Sequence, residues 1–440
     1  MSEIGISDIA LYLPCNRIGV HTIAERRCEE QPELARHLER AITTTGQKSL
    51  RFPCAREDTA TMGAEAALRL LQANPRIDLG ALRFLTVGTE TAVDHAKPAS
   101  AYVQGMLRQA GLELPASLSS FQVQHACAGG TLALLSVGAL LQQSAAEGEI
   151  GIVICSDVAR YEPRTTAEIT QGAGAAALLV ERSPKLVELD LATAGFYSSD
   201  VDDFFRPLGS GTARVKGAYS LKCYSEGLEE AFFDHCRRRG EQPAAVLNST
   251  DYFVLHTPFR NLPEIVMLRL LSRVLGTNPE SGREFLRQRG FEASLGAVAE
   301  VGNTYTGSLF FCLATTLADR YREQGEGIAG RSVLMASYGS GNTMTVLSAR
   351  IAAEAPRLIA RWDIEGLLAG GRAASWECYA RWMGTNGHGP DLHACTQADY
   401  RHPGRYYLRN LREDGYREYG CKPTADRQEP LAADASGGRG

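Results

Sequence analysis

Cys127 lies in Gln124-His125-Ala126-Cys127-Ala128-Gly129-Gly130-Thr131, between an apolar run at 119–123 and another at 130–143. The first run reads as a strand and the second as a buried helix. A cysteine at that junction meets unpaired backbone N–H groups and the positive end of the helix dipole. Both favour the thiolate, which is the nucleophile. The paired glycines are expected to keep side chains away from the sulfur, so that a large acyl substrate can approach the backbone. The pattern points to an enzyme that carries an acyl group on Cys127. A buried structural cysteine ahead of a helix is the other reading of the same residues.

Three further segments have compositions that plain structural elements do not need. Glu90, in Gly88-Thr89-Glu90-Thr91, ends an apolar strand, where a parallel sheet presents functional groups. A half-buried carboxylate there has a raised pKa and suits proton abstraction; helix capping or a salt bridge is the alternative. His256 ends the apolar run 252–255, and Pro258 stops that strand. It either donates to a substrate carbonyl or balances the thiolate's proton, or it is a satisfied core histidine. Asn303 follows Gly302 at a helix start, as an N-cap or as an amide aimed at a carbonyl or at His256. The Gly339-Ser340-Gly341 turn can lend a backbone N–H to an oxyanion, beside the N–H of Cys127. Together these supply a nucleophile, a base, a carbonyl binder and an oxyanion hole. That set is what carbon–carbon bond formation from a thioester needs.

The elements that must position these groups alternate through residues 1–350. Strand-like runs at 83–88, 119–123 and 151–155 are separated by helical patterns at 99–110 and 130–143. The second half repeats the theme, with strands at 252–255, 332–337 and 343–348 and helices at 263–275 and 306–321. Such alternation predicts parallel strands joined by helical crossovers. In each half a polar residue after a turn opens a buried helix, Cys127 in the first and Asn303 in the second. The reading divides the chain into halves at 1–180 and 181–350, an appended helical and loop segment at 351–423, and a disordered tail at 424–440. All three tryptophans fall after residue 355.

Composition bounds the function. The chain of 440 residues carries a net charge of −5 and no long basic run, which argues against nucleic acid. The most apolar helix is too short to span a bilayer, and the N-terminus shows no signal-peptide pattern. Eleven cysteines, an odd number without a CxxC pair, argue for reduced cytoplasmic thiols rather than a disulfide framework or a zinc site. His388, His393 and His402 fit no helical face and read as surface residues, and no metal site is expected.

At this point the chain resembles the hydroxymethylglutaryl-CoA synthase family of thiolase-like condensing enzymes, from Ile4 to about Tyr419. The resemblance is carried by Gly46-Gln47, Glu57-Asp58, Gly88-Thr89-Glu90-Thr91, Ala126-Cys127 with Gly129-Gly130-Thr131, and Thr170-Gln171-Gly172-Ala173-Gly174-Ala175. It continues through Asp203-Phe204-Phe205-Arg206-Pro207, His256-Thr257-Pro258-Phe259, Gly302-Asn303, Tyr305-Thr306-Gly307-Ser308-Leu309 and Ser337-Tyr338-Gly339-Ser340-Gly341, and ends in Tyr406-Tyr407-Leu408 and Arg417-Glu418-Tyr419.

The resemblance implies a five-layered αβαβα fold with duplicated halves and a C-terminal extension, and a homodimer. It implies that Cys127 takes an acetyl group, that Glu90 deprotonates the acetyl methyl, and that His256 binds the acceptor ketone. Asn303, Ser340, Gly339, Tyr305, Ala128, Thr131 and Arg260 match positions around that site. No permanently bound cofactor is implied; coenzyme A or phosphopantetheine thioesters are the substrates, and an acyl carrier protein is a candidate partner.

Three departures stand out. Ala128 replaces the family's tyrosine, which is expected to enlarge the acyl pocket and remove one donor. His125 replaces an acidic or amide residue. Asn261 stands where a lysine that helps hold CoA phosphates is common, with Arg260 beside it as a substitute. Two versions of the chemistry follow: synthesis of hydroxymethylglutaryl-CoA, and β-branching of a carrier-bound β-ketoacyl chain. A ketoacyl synthase III-like acyltransferase, in which Glu90 is incidental, is a third reading, and a non-catalytic homologue acting as a partner or scaffold is a fourth.

Overall fold

The computed structural model describes residues 4–385 and 404–423. The first half supplies β1 (Ile4–Tyr12), the short pair β2 (Asn16–Gly19) and β3 (Ser49–Phe52), then β4 (Leu82–Gly88), β5 (Ser119–Val123), β6 (Ile150–Ala159) and β7 (Gly172–Arg182). The second half supplies β8 (Val187–Leu189), β9 (Gly195–Ser198), the hairpin β10 (Phe204–Phe205) and β11 (Arg214–Val215), then β12 (Tyr252–Leu255), β13 (Ser332–Gly339) and β14 (Thr343–Ile351). The C-terminal segment adds β15 (Arg372–Ala373) and the hairpin β16 (Tyr406–Leu411) and β17 (Arg417–Cys421).

The main sheet runs β12-β13-β14-β8-β1-β7-β6-β4-β5, with β9 also paired to β14. β4 lies parallel to both β5 and β6, and β12 parallel to β13. The other pairs, β1 with β7, β6 with β7 and β13 with β14, are antiparallel. The sheet is therefore mixed, which corrects the expectation of a parallel one. The two halves also share one ladder, because β8 bonds to β1 on one side and β14 on the other.

Three apolar cores show the layering. One lies between the halves, where helices Gly129–Gln142 and Ser308–Gln324 bury Leu134, Val137, Phe310 and Leu313 against strands of both. A second packs helices Thr59–Ala73 and Ala99–Gln109 on the outer face of the first half, and a third packs helices Gly217–Arg239 and Leu262–Leu275 on the outer face of the second. Helix, sheet, helix, sheet and helix follow in order, as in thiolase-like folds. The sheet of the first half is buried on both faces, so β6 reads as the continuous apolar run Ile150-Gly151-Ile152-Val153-Ile154-Cys155.

The segment after residue 350 packs back on the core. Helix Trp376–Gly384 buries Tyr379 and Met383 with Ile18 and Phe52. Glu168 anchors it: this fully buried carboxylate accepts from Arg27 at 2.7 Å, from the Tyr379 hydroxyl at 3.0 Å and from the Arg164 amide at 2.7 Å. The β16–β17 hairpin docks through the Tyr406 amide on Glu65 and through Arg417 and Tyr419 on Asp58. His388, His393 and His402, with the loops expected at 388–390 and 402–404, fall at or beyond the edge of the described residues, as does the tail from 424.

Removing one partner of a buried ion pair leaves the other charge uncompensated. Arg27→Ala is therefore expected to destabilise the fold by about 3–5 kcal/mol. The check is a lowered urea midpoint with an unchanged denaturant slope.

Candidate active site

Cys127 sits on a tight turn ahead of helix Gly129–Gln142. The Ala128 amide donates to the His125 carbonyl at 3.0 Å, and the Gly129 amide to the Ala126 carbonyl at 3.2 Å. Ala126 takes the left-handed conformation, at φ +40°. Two of the amides that open the helix are thus committed to the turn. Cys127 is 8% exposed, and its sulfur stands 3.9 Å from Oε1 of Glu90.

The paired glycines do not clear a path for substrate, contrary to the expectation from sequence. A Cβ on Gly130 would stand 2.5 Å from Cys155 Sγ and 2.7 Å from the Thr306 carbonyl. One on Gly129 would stand 2.9 Å from the Val123 carbonyl. Their small size lets the helix start press onto β6, the Thr306 segment and β5. Thr131, in the same turn, is buried.

Glu90 follows β4 and is held by Asp157 near the end of β6. Asp157, fully buried, accepts from six donors. These are the Thr89 hydroxyl at 2.7 Å, the Glu90 and Thr91 amides at 3.0 Å, the Thr91 hydroxyl at 2.6 Å, the Thr306 amide at 3.0 Å, and the Thr306 hydroxyl. Burial pushes the Asp157 pKa up, and these donors pull it down; only the ionised form accepts all six. Burial and the neighbouring Asp157 together raise the Glu90 carboxyl to about 8, with Arg206 opposing.

The same environment acts on the sulfur. Burial, then Glu90, Asp157 and Asp203, push the Cys127 thiol well above its ordinary range, and Arg206 alone opposes them. The expected thiolate is therefore not the resting form. Desolvation and the neighbouring carboxylates act against the thiolate.

His256 follows β12, and its amide donates to the Ala336 carbonyl of β13 at 2.7 Å. The ring lies over Tyr224, whose hydroxyl donates to the His256 carbonyl at 2.8 Å. Burial lowers the His256 pKa to about 3, so the imidazole is neutral. β13 carries this region toward the nucleophile turn. At its end a Cβ on Gly339 would fall 2.5 Å from the His125 carbonyl and 2.7 Å from Ala128 Cβ. Glycine is needed there for the two halves to touch.

The other matched residues have mixed placements. The Asn303 side chain accepts from the Tyr305 amide at 2.8 Å, so its oxygen caps its own turn. Tyr305 is buried and forms an aromatic wall with Tyr161 and Phe204, at centroid distances of 6.4 and 5.9 Å. These rings cluster with Cys127. Ser340 is half-buried beside Gly339, while the Gly341 amide is committed to Asp203 at 2.9 Å.

Ala128 is fully buried against Gly339 and does not line the adjoining cleft, so loss of the family's tyrosine leaves no opening at that position. Asn261 and Arg260 brace the end of helix Ala35–Thr45. The Asn261 amide group donates to the Thr44 carbonyl at 3.1 Å and accepts from Arg260 at 2.7 Å.

The cleft, about 920 Å³, is lined by Glu90, Gln124, Ala126, Phe204, Arg206 and Trp382 among others. Asp157, Asp203, Tyr161 and Arg206 were given no role from sequence. Asp157 carried the usable signal, a carboxylate closing an apolar strand, which is the mark that singled out Glu90.

The model of the hydroxymethylglutaryl-coenzyme A synthase N terminal matches residues 2–185, and that of the C terminal matches 187–284 and 279–422. The hydroxymethylglutaryl-CoA synthase of Gibberella zeae is 27% identical, over 96% of this chain and 98% of its own. That of Haloferax volcanii is 28% identical over 74% and 80%. A solved MvaS in complex with 3-hydroxy-3-methylglutaryl coenzyme A is 30% identical, with a TM-score of 0.82, covering 96% of this chain and all of that one. The curacin pathway HMG synthase, 23% identical at a TM-score of 0.81 over 95% of this chain and all of its own, shares the fold. Matched over nearly its whole length, with a cysteine and a carboxylate facing each other where the two halves meet, the chain belongs to the hydroxymethylglutaryl-CoA synthase family and is a condensing acyltransferase of thiolase-like fold.

Proposed function

We propose that Cys127 accepts an acetyl group from a coenzyme A or phosphopantetheine thioester, its thiol proton passing to the departing sulfur, and that Glu90 then removes a proton from the acetyl methyl. The resulting carbanion attacks the ketone carbon of a β-ketoacyl thioester, the carbon–carbon bond forms as the carbonyl π bond opens, and the alkoxide takes up the proton that Glu90 holds. His256, as a neutral imidazole, donates a hydrogen bond to the acceptor oxygen. Water then cleaves the thioester to Cys127, releasing a carboxylate and restoring the thiol. The observation that carries this reading is the 3.9 Å approach of Cys127 Sγ to Glu90 Oε1. A base that close to the sulfur lies within reach of an acyl α-carbon bonded to it.

Delivery by a carrier protein to an extended acceptor is the second version. Two observations favour it. The cleft beside Glu90, about 920 Å³, has room for a pantetheine arm together with an acceptor longer than four carbons. Asn261, at the family's lysine position, is engaged with helix Ala35–Thr45 rather than free for phosphates. The curacin enzyme has been solved with holo donor-ACP, and the MvaS with hydroxymethylglutaryl-CoA, so relatives of both kinds exist. Two copies are proposed to pair along β5, which ends the sheet with its edge unpaired and its side chains largely half-buried.

Incubation with acetyl-CoA or an acetyl-carrier protein is expected to add one acetyl mass to the peptide containing Cys127. Absence of label from both donors would remove the proposal. Glu90→Ala is expected to keep the acetyl-enzyme and lose condensation by about 10²-fold or more; undiminished condensation favours the ketoacyl synthase III-like reading.

The pH dependence follows from the two shifts. Glu90 titrates at about 8 and acts as a base only when ionised, so condensation falls as pH drops through about 8. His256 titrates at about 3 and stays neutral above it, so no limb is expected near 6.5. A rate profile of single-turnover condensation checks both.

A further inference from the structure

The hairpin β10–β11 projects a cation into the site for which the reaction scheme has no use. Its base is fixed by Asp203, fully buried. Asp203 accepts from the Tyr338 hydroxyl at 2.8 Å, the Ser220 hydroxyl at 2.9 Å and the Gly341 amide at 2.9 Å, and its carbonyl accepts from the Lys216 amide. Phe204 packs on the ring of Tyr305, Phe205 is 42% exposed, and Arg206, just past the end of β10, lines the cleft together with Glu90. Among the described residues no hydrogen bond or ion pair within bonding distance engages the Arg206 guanidinium.

We propose that Arg206 is a positioning residue for the catalytic base: its guanidinium, carried on the hairpin that Asp203 anchors, shares the cleft with the Glu90 carboxylate and offsets the negative charge of Asp157 beside it. The proposal rests on the reading of Glu90 as the base.

The surroundings explain why a cation is needed. Asp157 from β6 disfavours a second negative charge at Glu90, and Cys127, Tyr161 and Tyr305 present only neutral groups to it. The cleft's other charges are Glu57, Asp58, Asp94, His95, Arg160, Arg381 and Arg417. Arg160 is bonded to the carbonyls of Trp382 and Met383, Arg417 is bonded to Asp58, and Asp94 to the amides of Ala96 and Lys97. Arg206 is the cation that opposes burial and Asp157 at Glu90.

The test reads proton abstraction directly, as exchange of the acetyl methyl hydrogens with solvent deuterium when the enzyme is given acetyl-CoA without an acceptor. Arg206→Gln is expected to form the acetyl-enzyme and to move the acid limb of exchange up by about one pH unit, a loss of about tenfold below the limb. Arg206→Met, which keeps the apolar stem, gives the same limb, and Arg206→Lys restores most of the wild-type profile. An unmoved limb in the Gln and Met variants, with exchange abolished in Glu90→Ala, overturns the proposal and leaves the base assignment standing. Exchange that survives in Glu90→Ala overturns the base assignment, and this proposal with it.

Discussion

The six hydrogen bonds to Asp157 are the joint on which the site turns. Three come from backbone amides, and the donors belong to two distant stretches of chain. One is the loop after β4 that carries Glu90, and the other is the Thr306 turn of the second half. Charge-assisted bonds of this kind contribute about 1.5–3 kcal/mol each, and together they oppose the burial that raises the Asp157 pKa. The Glu90 loop lies beyond the last paired residue of β4, and its other ties are the Thr89 amide on the Val123 carbonyl and the Thr91 hydroxyl with Thr59 and the Val158 amide. The carboxylate thus fixes the distance between base and nucleophile while its charge raises the pKa of the base.

That double role gives the site its charge logic. Three carboxylates face a buried sulfur, so the thiol keeps its proton at rest. Acylation removes both the proton and the sulfur's capacity for charge. The group left to titrate against the acetyl methyl is then Glu90. A carboxyl near 8 is a stronger base than an exposed one, and the gain is set by burial and by Asp157. His256 complements this by being neutral: a charged imidazole in so dry a place would cost more than it gives, and a neutral ring still donates one hydrogen bond.

Much of this was legible in the chain. Glu90, Cys127 and His256 each close or follow an apolar strand, and an ordered series of such junctions is a strong signal even when each is weak. The strands and helices around them fall within a few residues of the sequence reading, as with Ser119–Val123 and Tyr252–Leu255. What escaped depended on partners remote in sequence. Asp157 shows its role only when Thr306, 149 residues away, is in place. Gly129 and Gly130 read as clearance for a substrate because Cys155 and the Thr306 carbonyl, which fill that space, are contributed by other elements. The mixed sheet was missed because β7 and β14 return antiparallel over short connections, whereas alternation of strands and helices suggests crossovers throughout.

The contact between Gly339 and Ala128 changes where substrate selection must be sought. A small residue after the nucleophile looks like a widened pocket, yet Ala128 is closed in by the end of β13. The open volume lies on the other side of the turn, between the Glu90 loop, the β10–β11 hairpin and helix Trp376–Gly384. The hairpin tip carries Leu208, 89% exposed, while its base is fixed by the buried Asp203 and its returning limb by the Thr212 hydroxyl on Glu162 and the Ala213 amide on the Arg160 carbonyl. Reach into the cleft is therefore governed by a segment anchored at its base and exposed at its tip. Changes at the tip alter the room beside the base without disturbing the anchor that places Arg206, whereas changes next to the sulfur would have to break the contact that joins the two halves.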